Sequence, residues 1–222
     1  MSTYVMSDIH GNNTLFNKAL ETISFSKTDK LILLGDLIDR GDDSKGVLDT
    51  FFKLKEERYD VECIRGNHEQ MFLDSFDSGV SFFNWLKVGG NSTMNSFNAE
   101  NLEEFPLKYV DFIKSLAYHI EIEGFVLVHA AVNMQIKNPY SDTNTLLWER
   151  NTRRYFNPDW LGDRKIIHGH TPTSKNEIEK SLENNDQIIC IDNGTFVDFD
   201  DNYGHLCVLE LETMNAIFCK IN

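Results

Sequence analysis

No two cysteines of this chain are spaced as a metal-binding or redox pair, and no stretch is rich in lysine and arginine. Cys63, Cys190, Cys207 and Cys219 stand singly in "VECIR", "IICID", "HLCVL" and "IFCKI". Each stretch reads as a buried strand, so the thiols read as small reduced hydrophobes of a cytosolic protein. Positive charge is short as well: 21 Lys and Arg face 35 Asp and Glu, a formal net charge of −14. Such a surface repels nucleic acid and anionic membrane unless basic groups cluster, and no basic run of the nucleic-acid-binding kind is present. No apolar run is long enough to span a bilayer. The amino terminus enters "TYVMSDI" without a charged region and apolar signal core. A soluble, cytoplasmic protein is expected, with no membrane and no nucleic-acid partner. No repeat or low-complexity linker divides the 222 residues, so one domain over 1–222 is expected.

What is present is a regular alternation. "TYVMSDI", "KLILLGD" and "DVECIRG" are short apolar runs, and helical patterns follow each: Asn13 to Ile23, "SKGVLDTFFKLKEE", and Glu69 through Phe76. This β-α-β-α-β rhythm predicts a largely parallel sheet flanked by helices. From about Val80 to His119 the pattern is mainly helical, interrupted at Gly89-Gly90. Phe105, Tyr109, Phe112, Ile113 and Leu116 form a stripe that reads as core. Strands then dominate: "HIEIEG", "FVLVHA", "KIIHGHT", "QIICIDNG", "HLCVLELE" and "AIFCKI", with a hairpin expected at Gly124. The polar stretch "SKNEIEKSLENND" reads as a surface excursion. The fold class is α/β, with a mixed sheet or two sheets.

The polar residues gather where these strands end. "SDIHG" carries Asp8 and His10, "LLGDLIDRG" carries Asp36, Asp39 and Arg40, and "IRGNHE" carries Arg65, Asn67 and His68. "LVHAA" adds His129 and "IIHGHTP" adds His170. Ligand sites of open α/β sheets lie at the carboxyl ends of strands, so these endings can converge. Strand alternation would send Asp8 and His10 to one side, a carboxylate and an imidazole for one divalent ion. Asp36 can bridge to a second ion, completed by Asn67, His129 and His170. Mixed carboxylate, amide and imidazole donors suit manganese, iron or zinc better than an all-oxygen calcium cage. Paired metals are the recurrent device for in-line attack at phosphorus. Only Asp8 and Asp36 of the six ligands are anionic, so two divalent ions keep a net attraction for phosphate. Arg40 and Arg65 can hold phosphate oxygens in planar, bidentate fashion. His68 can protonate a leaving oxygen, with Asp39 holding its imidazole and raising its pKa. Each motif alone has a plainer explanation: Glu69 suits a helix amino terminus, and the glycines suit tight turns. His119 and His205 have no motif around them, and His168 reads as a satisfied strand histidine. The ordered set, each member at a strand end, is what carries chemistry.

"DIHG", "GDLIDRG", "RGNHE", "VHA" and "GHTP" resemble the signature of the phosphoprotein-phosphatase branch of the calcineurin-like metallophosphoesterases. The resemblance is to its short bacteriophage lambda-type and bacterial serine/threonine phosphatases. It extends to "HEQM", "WLKVGGN" and "LLWER". It implies an α/β/β/α sandwich with two mixed sheets, and two divalent ions, manganese first, with iron, zinc or nickel as alternatives. It also implies direct attack by a metal-bridging hydroxide. Asp8, His10, Asp36, Asn67, His129 and His170 resemble the metal ligands, and His68 with Asp39 the acid pair. Arg40, Arg65 and Arg150 resemble the phosphate-holding arginines, and Arg150 is implied by the resemblance alone. His168 matches no ligand of this branch, because Pro172 stands where other branches carry a further histidine. Ala131 replaces an acidic residue of the phage-type enzymes, which touches substrate positioning and leaves the ligand set intact. The longer C-terminal segment of the eukaryotic members is not matched, so no eukaryotic-type regulatory subunit is implied. The expected substrate is a phosphoprotein or phosphopeptide carrying phosphoserine or phosphothreonine, with phosphotyrosine a further candidate. The alternative is a dinucleoside polyphosphate such as diadenosine tetraphosphate, although its symmetrical hydrolases tend to lack the counterparts of Asp39 and Glu69. A silent phosphoprotein-binding scaffold is a third reading, opposed by the intact ligand set and His68.

Overall fold

The computed structural model describes residues 1–197 and 200–220. The first half winds as its pattern predicts: β1 (Thr3–Met6), α1 (Asn13–Thr22), β2 (Lys30–Leu33), α2 (Ser44–Glu56), β3 (Asp60–Cys63) and α3 (Asn67–Asp74). The middle holds α4 (Gly79–Trp85), a kinked turn over Leu86–Gly90, α5 (Asn91–Phe97) and α6 (Leu107–Ser115). Gly89, at φ 130°, makes the interruption that the glycine pair predicts. The remainder alternates β4 (His119–Ile122), β5 (Phe125–Val128), α7 (Thr143–Trp148), α8 (Pro158–Leu161), β6 (Lys165–His168), α9 (Lys175–Glu183), β7 (Ile188–Cys190), β8 (Leu206–Glu210) and β9 (Asn215–Cys219). Ile221, the end of the last apolar stretch, lies outside the described residues.

Two mixed sheets form, a five-stranded one in the order β3-β2-β1-β8-β9 and a four-stranded one in the order β4-β5-β6-β7. β1, β2 and β3 are parallel, while β8 and β9 add antiparallel. β4 and β5 are the expected hairpin, closed by Gly124 at φ 78°. Side-chain alternation stacks the sheets. Val5, Ile32, Cys207 and Leu209 of the first sheet meet Leu127, Ile167 and Ile189 of the second in one buried layer. Their neighbours Met6, Leu31, Leu33 and Val208 face outward onto α1, α2 and the aromatic stripe of the middle segment. Val126, Val128, Ile166 and Ile188 face the other way, onto Leu146 of α7 and Leu161 of α8. The result is the α/β/β/α order of layers.

The polar stretch after Ser174 is not a surface excursion. It forms α9, opened by a reciprocal cap between Ser174 and Glu177. The helix is amphipathic over a short length, and its one fully buried residue, Ile178, enters the layer between the sheets. A single apolar anchor among polar residues gives little periodic signal, which is why the pattern reads as surface. Replacing Ile178 by Ala should lower the unfolding free energy by about 2–4 kcal/mol. Ser174→Ala should cost about 1 kcal/mol. Urea denaturation checks both, and an unchanged Ile178→Ala midpoint would show that α9 does not close the core.

Candidate metal centre

The strands deliver the ligands differently from simple alternation. β1 stops at Met6, and Asp8 and His10 lie beyond it with φ of 54° and 48°. Asp36, Asp39, Arg40 and His170 also have positive φ, at 52°, 73°, 71° and 69°. L-residues in this region are strained, and such strain gathers at sites where the surroundings hold it. Here the ends of β1 and β2 run on as paired loops: His10 N donates to Asp36 O (2.9 Å) and Gly11 N to Leu37 O (2.8 Å). Asp8 and His10 therefore reach the same cluster through left-handed turns.

Glu69, fully buried, holds the second loop. Its carboxylate accepts from the backbone N–H groups of Asp36 (2.8 Å), Leu37 (2.7 Å) and Gly66 (2.9 Å). The Glu69 of "NHE" thus does more than favour a helix start. In turn, the Asp36 carboxylate accepts from His68 N at the start of α3 (2.9 Å). Gly66 is required by proximity, since a Cβ there would lie 2.2 Å from Asp36 Oδ1.

The six expected ligands are brought together and buried. Asp36 Oδ2 lies 3.6 Å from His10 Nε2 and 3.5 Å from His129 Nε2, so one oxygen stands between two imidazoles. Asp8 Oδ1 is 3.9 Å from His10 Nε2. Asn67 Oδ1 lies 2.9 Å from His129 Nε2 and 2.8 Å from His170 Nδ1. Donors bound to one ion at about 2.1 Å lie about 3.0–3.4 Å apart, from octahedral to tetrahedral arrangement. Most of these separations are close to that range.

The protons argue the same way. His129 Nδ1 faces Leu34 O at 2.8 Å and His10 Nδ1 faces Ile38 O at 3.1 Å. A carbonyl only accepts, so both rings carry their proton at Nδ1 and turn a bare Nε2 toward carboxylate or amide oxygens. Lone pairs that converge without a proton call for a cation. Burial, with the nearby His68 and Arg40, holds His10 well below the usual histidine pKa. Burial, His129 and Arg150 push His170 down to about 2. Burial also pushes the Asp36 carboxyl well up, with the charges of Asp8 and Glu69 adding to it and His68 opposing. Neutral imidazoles around an anion that lacks a counter-charge fit a divalent ion. Arg40 stands in for such charge, its Nη1 2.9 Å from His10 Nε2.

The two residues expected to form the acid pair are in contact. His68 Nδ1 lies 2.7 Å from Asp39 Oδ2, and both residues are buried. Burial lowers the His68 pKa, but the charge of Asp36 and the bond to Asp39 outweigh it, so the net shift is upward as expected. Arg40 Nη2 reaches His68 Nε2 at 3.1 Å, and its guanidinium lies 3.9 Å over the ring of exposed Phe196. Arg150, also exposed, sits beside the cluster with Nη1 3.4 Å from His170 O. Arg65 is engaged by the protein itself. Its Nη1 donates to Gln70 and Tyr118 (both 2.9 Å), and its Nη2 to Ile113 O (3.2 Å) and Lys114 O (2.7 Å) at the end of α6. Its Nη2 thus binds a helix carboxyl terminus, which cations favour, while the buried Nε has no partner among the described residues. His168 ends β6, buried, with Nδ1 2.9 Å from Gly169 O, and burial lowers it to about 4. Ala131 is buried beside α7, its N–H donating to Thr145 O (3.3 Å).

A histidine–aspartate–asparagine cluster of this kind on a double-sheet sandwich has known counterparts. The family described as calcineurin-like phosphoesterase matches residues 1–206. The chain belongs to the calcineurin-like phosphoesterases. Serine/threonine-protein phosphatase 1 of Salmonella typhimurium is 43% identical over 177 residues, 76% of this chain and 78% of that protein. A symmetrical bis(5'-nucleosyl)-tetraphosphatase of Buchnera aphidicola is 37% identical over 107 residues, 39% of this chain and only 38% of that protein. A protein serine/threonine phosphatase from Saccharomyces cerevisiae shares the fold with a TM-score of 0.69 at 15% identity, covering 100% of this chain and 80% of that one. Members of this phosphoesterase family use a binuclear divalent metal centre, and two histidine–aspartate groups here can hold ions: His10, Asp36 and His68, and Asp36, His129 and His170.

Residue types at strand ends pointed to the candidate ligands that converge here, whereas Trp85 and Thr93, which both bond Asp39, gave no signal beyond the resemblance of "WLKVGGN". Glu69→Gln would turn an amide toward N–H donors that need an acceptor. It should lower the unfolding free energy by about 1–3 kcal/mol. Urea denaturation tests this, and a loss near zero would deny Glu69 its role in holding the loop.

Proposed function

We propose that this phosphoesterase hydrolyses phosphoserine and phosphothreonine in proteins, with phosphotyrosine a further candidate. The catalytic domain would extend over 1–222. The observation that carries the reading is the buried His68–Asp39 bond of 2.7 Å beside ligand Asn67. A serine or threonine alkoxide is a poor leaving group and needs a proton as the ester bond breaks. The nucleotide that leaves a dinucleoside polyphosphate departs as a stabilised anion and needs that proton less. An intact acid pair therefore favours the monoester.

Asp8, His10 and Asp36 would hold one divalent ion, and Asp36, Asn67, His129 and His170 the other. Manganese is the first candidate, with iron, zinc or nickel as alternatives, because the donors mix oxygen with imidazole nitrogen. When bound, the ions supply an activated water and positive charge for the phosphoryl oxygens. Arg40 would bind those oxygens from the side of Phe196, and Arg150 from the side of His170. Arg65 would join them only by giving up the α6 carbonyls that it binds. With Arg40 turned from His68 Nε2 to the phosphate, protonated His68 would give its Nε2 proton to the leaving oxygen, and Asp39 at Nδ1 would orient the ring and stabilise its charged form. The Salmonella relative supports the substrate class by its name. A cytoplasmic setting agrees with the four free thiols. The shorter match to the bis(5'-nucleosyl)-tetraphosphatase keeps a dinucleoside polyphosphate as the second reading.

The deciding comparison is kcat/KM of metal-stripped, manganese-reloaded protein on a phosphoserine peptide and on diadenosine tetraphosphate. The peptide should win, and preference for the dinucleotide would overturn the protein-phosphatase reading. Chelation should abolish turnover, and manganese should restore it. His68→Asn should keep both metals by elemental analysis while lowering kcat on the peptide by about 10²–10⁴-fold. Full turnover in that variant would remove His68 from the reaction.

A further inference from the structure

The ligands and the acid pair depend on different parts of the chain. The hydrogen bonds that orient the metal ligands come from Ser7, Leu34, Ile38, the Arg40 side chain, the backbone of His68 and His170, and one another. Among the described residues, none comes from the helical segment 79–97. Asp39 differs. It is fully buried, so its carboxylate needs donors, and besides His68 they come from that segment. Trp85 Nε1 donates to Oδ2 at 2.9 Å and to Oδ1 at 3.1 Å. Thr93 Oγ1 donates to Oδ1 at 2.6 Å and accepts from Asp39 N at 3.0 Å.

The grip continues into the backbone. Arg40 N donates to Gly89 O at 3.3 Å. A Cβ on Gly89 would come within 2.8 Å of Arg40, and one on Gly90 within 2.5 Å of the Trp85 indole. The glycine pair thus lets the segment close on both Asp39 and Trp85. A bifurcated indole N–H fixes the plane of the carboxylate, and the hydroxyl pins the oxygen that His68 does not use. The remaining direction at Oδ2 points to His68 Nδ1.

We propose that Trp85 and Thr93 are positioning residues for the leaving-group proton, aligning His68 through Asp39 and leaving the metal ligands unaffected. The proposal rests on the reading of His68 as general acid. It separates leaving-group protonation from metal binding within one site.

The test compares leaving groups. Thr93→Val keeps the side-chain volume and removes the hydroxyl, Thr93→Ser restores it, and Trp85→Phe removes the indole N–H. Each is assayed on a phosphoserine peptide, whose alkoxide needs a proton, and on p-nitrophenyl phosphate, whose leaving group needs it little. Thr93→Val and Trp85→Phe should lower kcat on the peptide by about tenfold or more, a fraction of a full acid–base contribution, with KM and metal content unchanged. Turnover of p-nitrophenyl phosphate should be nearly unaffected, and Thr93→Ser should recover peptide activity. In a His68→Asn background, Thr93→Val should add no further loss, because both act through one group. In metal-free protein, NMR should show the His68 Nδ1 proton exchanging faster with water in Thr93→Val. Equal losses on both substrates, or an additive loss on top of His68→Asn, would overturn the proposal. If His68→Asn shows the leaving-group signature while Thr93→Val and Trp85→Phe retain full peptide turnover, the positioning role fails and the acid survives. If His68→Asn shows no leaving-group preference, the acid reading fails and takes the proposal with it.

Discussion

The Glu69 carboxylate, sealed from solvent, is the tie on which the site is built. Three backbone N–H groups within 3 Å converge on it, two from the loop after β2 and one from Gly66 at the start of α3. That loop carries Asp36, Asp39 and Arg40 in left-handed conformations that L-residues resist. An isolated loop would relax out of them. A buried anion that would be left unsatisfied by relaxation opposes it, since each lost partner leaves a desolvated group behind. The same turn of α3 offers Asn67 and His68, so fixing one loop fixes the other. The two ligand-bearing loops cannot move independently.

Electrostatics explains why the protein tolerates so many buried polar groups in one place. Asp8, Asp36, Asp39 and Glu69 are all buried, together with four histidines of the cluster, His10, His68, His129 and His170. Glu69 and Asp39 are satisfied by donors of the chain itself. Asp36 is not fully compensated, and its raised pKa is the mark of that. A chain with a formal charge of −14 that buries carboxylates at the meeting of its strand ends is organised around positive charge from outside. Exposed Arg40 and Arg150 place positive charge at the margin of the cluster on an otherwise acidic chain.

Legibility in the sequence followed the physics of each feature. The alternation of β1 to β3 with α1 and α2, and the hairpin at Gly124, follow from apolar periodicity and turn chemistry, which are local. The convergence of the candidate ligands was legible because carboxylate, imidazole and amide side chains stood together at strand ends, where parallel sheets place ligand sites. How they converge was not. Alternation along a strand would carry Asp8 and His10 to the site, but both lie past the last ladder bond at positive φ. Nothing in "SDIHG" except its glycine announces that. Arg65 sits in the same motif as Asn67 and His68, yet its direction is set by carbonyls of α6 nearly fifty residues later. Trp85 and Thr93 were hidden for a similar reason. An apolar Trp in a helical pattern reads as core, and its indole N–H becomes meaningful only when Asp39 arrives beneath it.

The arrangement also separates two tasks that the motifs run together. "GDLIDRG" places a metal ligand and the partner of the acid three residues apart, so in sequence they look like one device. In space they part: Asp36 is held by Glu69 and the start of α3, whereas Asp39 is held by α2, α4 and α5 through Ser44, Trp85 and Thr93. The strand-end loops and the start of α3 account for most of the contacts that orient the candidate ligands, with Arg40 adding one to His10. The helical segment packed on the outer face of the sandwich accounts for the alignment of His68. A chain that kept the sandwich but altered that segment would retain a metal site, yet its capacity to expel an alkoxide would change. On the proposed roles of His68, Trp85 and Thr93, leaving-group preference in this chain is set by the helical segment that holds Asp39.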